Sequence, residues 1–565
     1  MDGTKGEPWN SRRLRETAVK QRRNNVRKVI WAILVLMLAS AGLVGCGDSS
    51  RGTASGTPAA TASGSQGAVP TAKTGGTVVY GTLFEPATLN PLQATDVVSK
   101  WAVELIFDGL VYVNDKMEMK PGLATEWSTS PDGLEWTFKL RNGVRWHDGV
   151  PFTADDVRFT YETVLNKDTK TIPKTDYASI ARIETPDLQT VRFYLKEKSA
   201  PFLSKLATNA LAIVPKHILE NQDLNTTDFN RKPIGTGPFV VEEWAQGQKL
   251  SVKANPNYFG TKPALDKIIW KKLTDSNVLS LQLLNGEVDG AAVNPEIIGQ
   301  VKANNTLSTY ETVDANTYIG FQLDNPLFQD KRVRQALSYG LDRDAILTQI
   351  LKGQGIRSTS HIMPNSWAYN PDVEKFGFNQ AKAKQLLADA GWKPGPDGVL
   401  TKDGQKFKFT LLTNAGDKTR EAVSLFVRQQ WGELGVQVEP QYLDLNTFIQ
   451  ERVLKRNFEA ILLSGSVNVD PDYLYRNFHS KAIGTANNFL SYRNDQVDKL
   501  LEEGQVTLDQ QARQKIYFEI QKLMADDAPQ VPLYYPKVTY AFKKTIQGIN
   551  PSPINLFWNA EAWHY

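Results

Sequence analysis

The single cysteine of the chain, Cys46, closes an uncharged apolar run, and this pairing limits what can follow it. The run from Val29 to Gly45 reads VIWAILVLMLASAGLVG and comes after Arg22, Arg23, Arg27 and Lys28. Basic residues are held on the cytoplasmic side, the apolar segment enters the bilayer, and small residues open the backbone to a peptidase. Leu43-Val44-Gly45-Cys46 is therefore expected to be a lipoprotein cleavage box, with Cys46 as the lipid attachment point. The alternative is an uncleaved membrane anchor. At 17 residues the run stands at the lower edge of a spanning helix, which has no need of Gly-Cys at its outer end. Either way the rest of the chain is expected outside the cytoplasm and tethered. With Cys46 lipidated no internal disulfide can form, so the body must be held together by burial.

The net charge of +4 is misleading about partners, because the first 45 residues carry nine Lys/Arg and three Asp/Glu. The remainder is −2, which gives no support for a nucleic-acid partner. After the signal (1–45) and a Gly/Ser/Thr/Ala/Pro segment (46–74), about 490 residues remain, enough for two or three lobes. Residues 47–74 have no apolar periodicity and are expected to be a disordered tether with a span on the order of 30 Å.

Local patterns order the body. Thr77 to Leu83 predicts a strand, and Asp96 to Phe107 a helix with Val97, Trp101 and Leu105 along one stripe. Leu134, Trp136, Phe138 and Leu140 alternate with Glu135, Thr137 and Lys139, the period of a half-buried strand. Thr153 with Asp156 three residues on predicts a helix N-terminus, so the Asp155-Asp156 pair is assigned to capping rather than to acid/base chemistry. From Asp330 onward helices and strands alternate. Helices are expected at 333–339, 345–351, 380–390, 418–434, 447–454, 495–501 and 508–524, and strands at 406–412, 436–442 and 458–463. That grammar predicts an α/β lobe with a mixed or parallel sheet.

Catalytic signatures are missing. The five histidines are widely separated, with no His-Glu-x-x-His, and there is no Gly-x-Ser-x-Gly elbow and no phosphate loop. Gly235-Thr236-Gly237 leads into Pro238-Phe239 and a strand rather than a helix, so it is expected to be a tight turn and not a dinucleotide site. An exported, tethered, multi-lobed body without such groups points to ligand capture between lobes.

Several ordered stretches carry a resemblance. They include Pro121-Gly122-Leu123-Ala124 with Trp127, Ser130-Pro131-Asp132-Gly133, Trp136-Thr137-Phe138-Lys139-Leu140-Arg141, Trp146-His147-Asp148-Gly149 and Phe152 to Val157. Ile234 to Phe239, Asn255 to Phe259, Val333 to Leu337 with Asp342-Arg343, and Asp470-Pro471-Asp472 complete the set. From Gly75 to the C-terminus the chain resembles the family 5 extracellular solute-binding proteins, of the oligopeptide, dipeptide and nickel type, which serve ABC importers. The resemblance implies an α/β, periplasmic-binding-protein-like type II fold in its large three-region form, two lobes joined by a two-crossing hinge. It implies a first domain from 75–110, 233–317 and 535–565, an inserted subdomain at 111–232 and a second domain at 318–534, with hinges near Tyr318 to Gln322 and Leu533 to Tyr535.

It also implies where ligand sits. In peptide-binding members an aspartate in the segment before the Asp-Pro motif pairs with the peptide amino terminus. Here the segment is Ser464-Gly465-Ser466-Val467-Asn468-Val469-Asp470, and the aspartate position is Val467. A buried ammonium facing valine would lack its counter-charge. Neutral hydrogen-bonders Ser464, Ser466 and Asn468, with Trp367 as a stacking ring, would suit an oligosaccharide; Trp367 as core and serines as turn residues are the plain alternatives. Thr95 and Asp96 match another pocket-lining segment, Asp96 being either an amine ligand or a helix cap. Tyr534, at a hinge crossing, is also expected at the ligand. A nickel chelate would want a histidine, for which His479 is the nearest candidate, although packing behind the segment from Tyr473 to Phe478 is the preferred reading for it. The implied partners are a peptide or other small ligand, the ABC permease subunits, and the membrane through lipidated Cys46. No cofactor, metal or nucleic acid is expected, and the protein is expected to be a monomer. An exported enzyme or sensory receptor on the same lobes is the alternative of another class.

Overall fold

The alternating residues 134–140 form the strand Glu135–Leu140, with Trp136, Phe138 and Leu140 buried on one face and Lys139 exposed on the other. This computed structural model describes residues 74–565 except 168, 170, 172, 173, 209, 210 and 486. The apolar run, Cys46 and all of the expected tether but Thr74 lie outside the described residues. Glu135–Leu140 belongs to an antiparallel sheet ordered Ala124–Thr129, Glu135–Leu140, Thr190–Leu195, Ile180–Asp187. The helix Ala154–Leu165 packs on it, Tyr161 meeting Phe193 edge-on. Asp156 caps that helix by accepting the Thr153 N–H at 2.9 Å, and its other oxygen takes the Lys216 N–H at 2.9 Å. Both carboxylates of the Asp155-Asp156 pair are thus spent structurally, since Asp155 pairs with Arg158 at 2.9 Å.

A second, twelve-stranded sheet runs through the molecule. Its main path is Gln437–Leu443, Lys408–Asn414, Ala460–Ser464, Thr317–Phe321, Gln530–Lys543, Gly290–Ala292, Thr77–Thr82, Lys267–Lys272, Lys249–Ala254, Phe239–Ala245. Lys408–Asn414 is parallel to both neighbours, as is Thr77–Thr82, and the other pairings are antiparallel, so the sheet is mixed. Gln530–Lys543 is the long member. Its first half pairs with Thr317–Phe321, Thr317 lying opposite Tyr534, and its second half with Gly290–Ala292 and Leu307–Val313. Val531, Leu533 and Tyr534 enter one apolar core with Phe321, Phe328 and Trp431. Tyr540 and Phe542 enter another with Val78, Trp270, Phe557 and Trp563. Each buried side chain of this size contributes roughly 1.5–3 kcal/mol relative to exposure, so one strand is anchored twice.

Several local expectations shift. The helix Val97–Ile106 buries Ala102, Val103, Leu105 and Ile106, whereas Val97 is 59% exposed, because Asp96 caps the helix and turns its first residue outward. At 345–351 and 447–454 the backbone opens into wide turns, with the Leu351 N–H on the Ile346 carbonyl at 3.0 Å and the Leu454 N–H on the Ile449 carbonyl at 2.9 Å. Over two turns, apolar spacing does not separate such i→i+5 bonding from an α-helix. The helix Gln380–Asp389 ends as expected, with Gly391 at φ 92°, where a glycine pays no steric penalty.

Candidate solute-binding site

The strand Ala460–Ser464 ends between its parallel neighbour Lys408–Asn414 and its antiparallel neighbour Thr317–Phe321, and the chain then leaves the sheet as the run 465–472. Loops at the carboxyl ends of such strands are where open α/β sheets place ligands. Here the run forms one wall of a cavity of about 700 Å³, through Val467, Asn468, Val469, Asp470 and Asp472. The facing wall is made by Thr95, Lys100, Tyr177, Pro201 and Lys205. At the rim Arg476 pairs with Asp176 at 3.1 Å, and the Ala200 N–H donates to the Gln505 carbonyl at 2.7 Å.

Of the residues expected at the ligand, Thr95, Val467 and Asn468 line this cavity. Val467 and Val469 also pack on a small cluster of Val111, Val113, Met117 and Ala207, which gives that wall its apolar character. Gly465 and Ser466 border a smaller hollow of about 40 Å³ beside it, together with Tyr318 and His361. The Ser464 hydroxyl is committed to Thr317 Oγ1 at 2.8 Å and to Arg420 Nη2 at 2.9 Å. Asp96 accepts the Ser99 N–H at 2.8 Å and so acts as the helix cap. Trp367 sits in the packing, its ring edge-on to Tyr517 and beneath the Arg513 guanidinium. Tyr534 is 2% exposed inside the sheet core. Asp96, Trp367 and Tyr534 are therefore not among the cavity-lining residues. His479 is buried too, its ring tilted against Tyr475, with Nδ1 accepting the Lys481 N–H and Nε2 on Glu502, so it offers no free nitrogen to a chelate.

The ionised cavity residues were not legible in the sequence. Lys100 is a polar residue on a helix and Lys205 one at the end of a short helix; nothing in their spacing announces that they face a common space. Burial lowers the Lys100 pKa, against the attraction of Glu104, Asp176 and Asp96. Asp472 is shifted the other way, its pKa raised by burial first and then by Asp470. Asp470 itself is clamped by Arg513.

The glycine motif is a bend packed against the end of a helix rather than the expected tight turn. The Gly237 N–H donates to the Ile106 carbonyl at 2.9 Å, and a Cβ on Gly235 would overlap that same carbonyl oxygen. Thr236 Oγ1 donates to Asp108 at 2.8 Å. Among the described residues no group of three His, Cys, Asp or Glu gathers as a metal site, and no helix is long and apolar enough to cross a membrane.

A mixed α/β body with a ligand-sized space beyond its parallel strands has the form of a periplasmic-type solute-binding protein. The family described as bacterial extracellular solute-binding proteins, family 5 Middle, matches residues 118–485. The chain belongs to this family, and it is a binding protein rather than an enzyme. It is 36% identical over 498 residues to the oligopeptide-binding protein AppA of Bacillus subtilis, covering 86% of this chain and 91% of that one. Protein XP55 of Streptomyces lividans is 35% identical over 458 residues, covering 80% and 82%. Among solved structures, AppA from Bacillus subtilis in complex with a nonapeptide superposes with a TM-score of 0.74 at 35% identity, covering 87% of this chain and 99% of that one. NikZ from Campylobacter jejuni in complex with Ni(L-His) gives 0.75 at 28% identity, covering 86% and 99%.

Proposed function

We propose that the chain is the membrane-tethered substrate-binding protein of an ABC importer, which captures a peptide between two lobes and delivers it to the permease. The observation that carries this reading is the cavity of about 700 Å³ between the Lys100 wall and the 467–472 wall. That volume falls within the roughly 300–1,000 Å³ range of small-ligand sites, which favours a short peptide. The similarity to an oligopeptide-binding relative supports the same ligand class. The lobes are 75–317 with 535–565, containing the subdomain 111–232, and 318–534; the passage of Gln530–Lys543 from one apolar core to the other supports a hinge at that strand. Ligand touching both walls would favour closure, because it binds the closed arrangement better than the open one. Lipid on Cys46 and the segment 46–74 would keep the protein, a monomer, beside the permease.

Oligosaccharide is the second reading, favoured by one observation: Val467 presents an apolar wall where a peptide amino terminus would want a carboxylate. Native mass spectrometry of co-purified ligand, followed by thermal shifts with peptides and with oligosaccharides, separates the two. Ligand at 100 times its Kd adds about 2.7 kcal/mol by mass action. Stabilisation by oligosaccharides alone would overturn the peptide reading, and measured turnover of a bound compound would overturn pure binding.

A further inference from the structure

The hollow of about 40 Å³ beside the large cavity differs from it in charge. Tyr473 and Asn487 border both spaces, so the two adjoin. Ionisable side chains such as Lys205 and Asp472 line the cavity, whereas among the described residues no Asp, Glu, Lys or Arg lines the hollow. Its one histidine, His361, packs on Phe478 with ring centres 4.6 Å apart, and burial lowers its pKa to about 3, so it is neutral as well. The polar lining consists instead of three carboxamides, Asn316, Asn477 and Asn487, and the hydroxyl of Ser466. Asn316 is 5% exposed, and its Nδ2 has no hydrogen-bond partner. Among the described residues the side chains of Asn477, Asn487 and Ser466 make no hydrogen bond either. Backbone contacts hold the two sides in place: the Gly465 N–H donates to the Asn316 carbonyl at 2.9 Å, and the Asn487 N–H to the Arg476 carbonyl at 3.0 Å. Unpaired polar groups in an uncharged recess are costly until a partner brings both donors and acceptors. An ion entering it would find no counter-charge. A carboxamide donates and accepts at once, and its three heavy atoms suit a space with room for about three waters.

We propose that this hollow is a side pocket of the ligand cavity that takes one uncharged side chain of the bound peptide, ending in a carboxamide, and that Asn316, Asn477, Asn487 and Ser466 select it. The proposal rests on the cavity being the ligand site, and it deepens the peptide reading by naming a side-chain class at one position. Glutamine or asparagine at that position pairs the idle groups. Methionine or leucine, of similar shape, leaves them unpaired, and glutamate, aspartate or lysine brings a charge that nothing in the pocket answers.

The test uses the full chain in detergent micelles, incubated with an equimolar set of synthetic alanine-based tetrapeptides. Each position in turn carries glutamine, asparagine, methionine, leucine, glutamate, aspartate or lysine, and retained peptide is quantified by mass spectrometry. At one position the glutamine or asparagine peptide should be retained about tenfold better than its apolar and charged counterparts. The double variant Asn477→Leu, Asn487→Leu should lose that preference and retain the methionine and leucine peptides equally well. Asn487→Asp places a carboxylate in the pocket and should turn the preference at the same position toward lysine. Thermal unfolding without ligand checks folding, and if the Leu variant does not unfold cooperatively, Asn487→Asp decides alone. Retention without a preference for carboxamides at any position, or the same preference in every folded variant, overturns the side pocket and leaves the peptide reading standing. If no peptide of any composition is retained, the peptide reading fails and the side pocket falls with it.

Discussion

Arg513 holds Asp470 through two parallel hydrogen bonds, Nη1 to Oδ2 at 2.6 Å and Nη2 to Oδ1 at 2.7 Å. The two side chains are 5% and 14% exposed, so the contact is a nearly dry fork on fork. Nε of Arg513 also donates to the Gly504 carbonyl at 2.7 Å, which ties the run 465–472 to the helices Asp495–Val506 and Gln510–Asp527. Asp470 lines the cavity but positions the wall rather than waiting for a ligand.

Breaking this pair should therefore damage the fold. Asp470→Asn leaves a buried guanidinium without its counter-charge and should cost about 3–5 kcal/mol, measured by urea unfolding. The double variant Asp470→Leu, Arg513→Met should recover most of that loss, because no unpaired charge remains. A single variant within about 0.5 kcal/mol of the natural chain would show that the pair contributes nothing.

His147 makes the stability pH-dependent. The Gly235 N–H donates to its Nδ1 at 3.2 Å, so the proton must sit on Nε2, which donates to the Gly237 carbonyl at 3.0 Å. Burial lowers its pKa from 6.5 to about 4, outweighing the hydrogen bond to Gly237 and the pull of Asp148. The unfolded chain takes up this proton below 6.5 and the folded chain does not, so the stabilisation is complete above 6.5 and is lost as pH falls toward 4. The loss should amount to about 3 kcal/mol. His147→Gln, compared with the natural chain by denaturant titration across that range, should fall less steeply; parallel curves would refute the assignment.

Glu561 acts in the opposite direction. Burial foremost, then Asp108, raises its pKa to about 7. The folded chain keeps a proton that the unfolded chain releases, so stability is full below the ordinary glutamate value of 4.5 and declines as pH rises through about 7. Glu561→Gln cannot ionise. Its gain over the natural chain should reach about 3 kcal/mol at pH 8 and vanish near pH 4, and a gain that does not change with pH would argue against a buried ionising group.

Gly235→Ala tests the packing account of the glycine motif. The new methyl would collide with the Ile106 carbonyl oxygen, a backbone atom that cannot rotate away. A loss of about 2–4 kcal/mol is expected, whereas Gly247→Ala, with open space around the added atom but an φ of 76°, should lose only about 1 kcal/mol. Similar Tm values for both variants would remove the argument.

Much of the architecture follows from residues close together in the chain. The alternation at 134–140, the cap formed by Thr153 and Asp156, and the terminating Gly391 each act over one or two turns, and each appears in the fold where its pattern indicated. The ordered motifs from Pro121 to Asp472 were sufficient to indicate the family. Of the residues singled out from the sequence, Thr95, Val467 and Asn468 line the cavity, whereas Asp96 caps a helix, Trp367 is a packing ring and Tyr534 lies in the core. Those three differ from true lining residues only in which way the side chain points once helices and strands have packed. Lys100 and Lys205 carry no motif, and Asp470 and Asp472 stand side by side in one. Only the tertiary structure decides that Asp470 is neutralised by Arg513 while the two lysines are left facing a cavity, because charge pairing depends on distances between segments far apart in the chain.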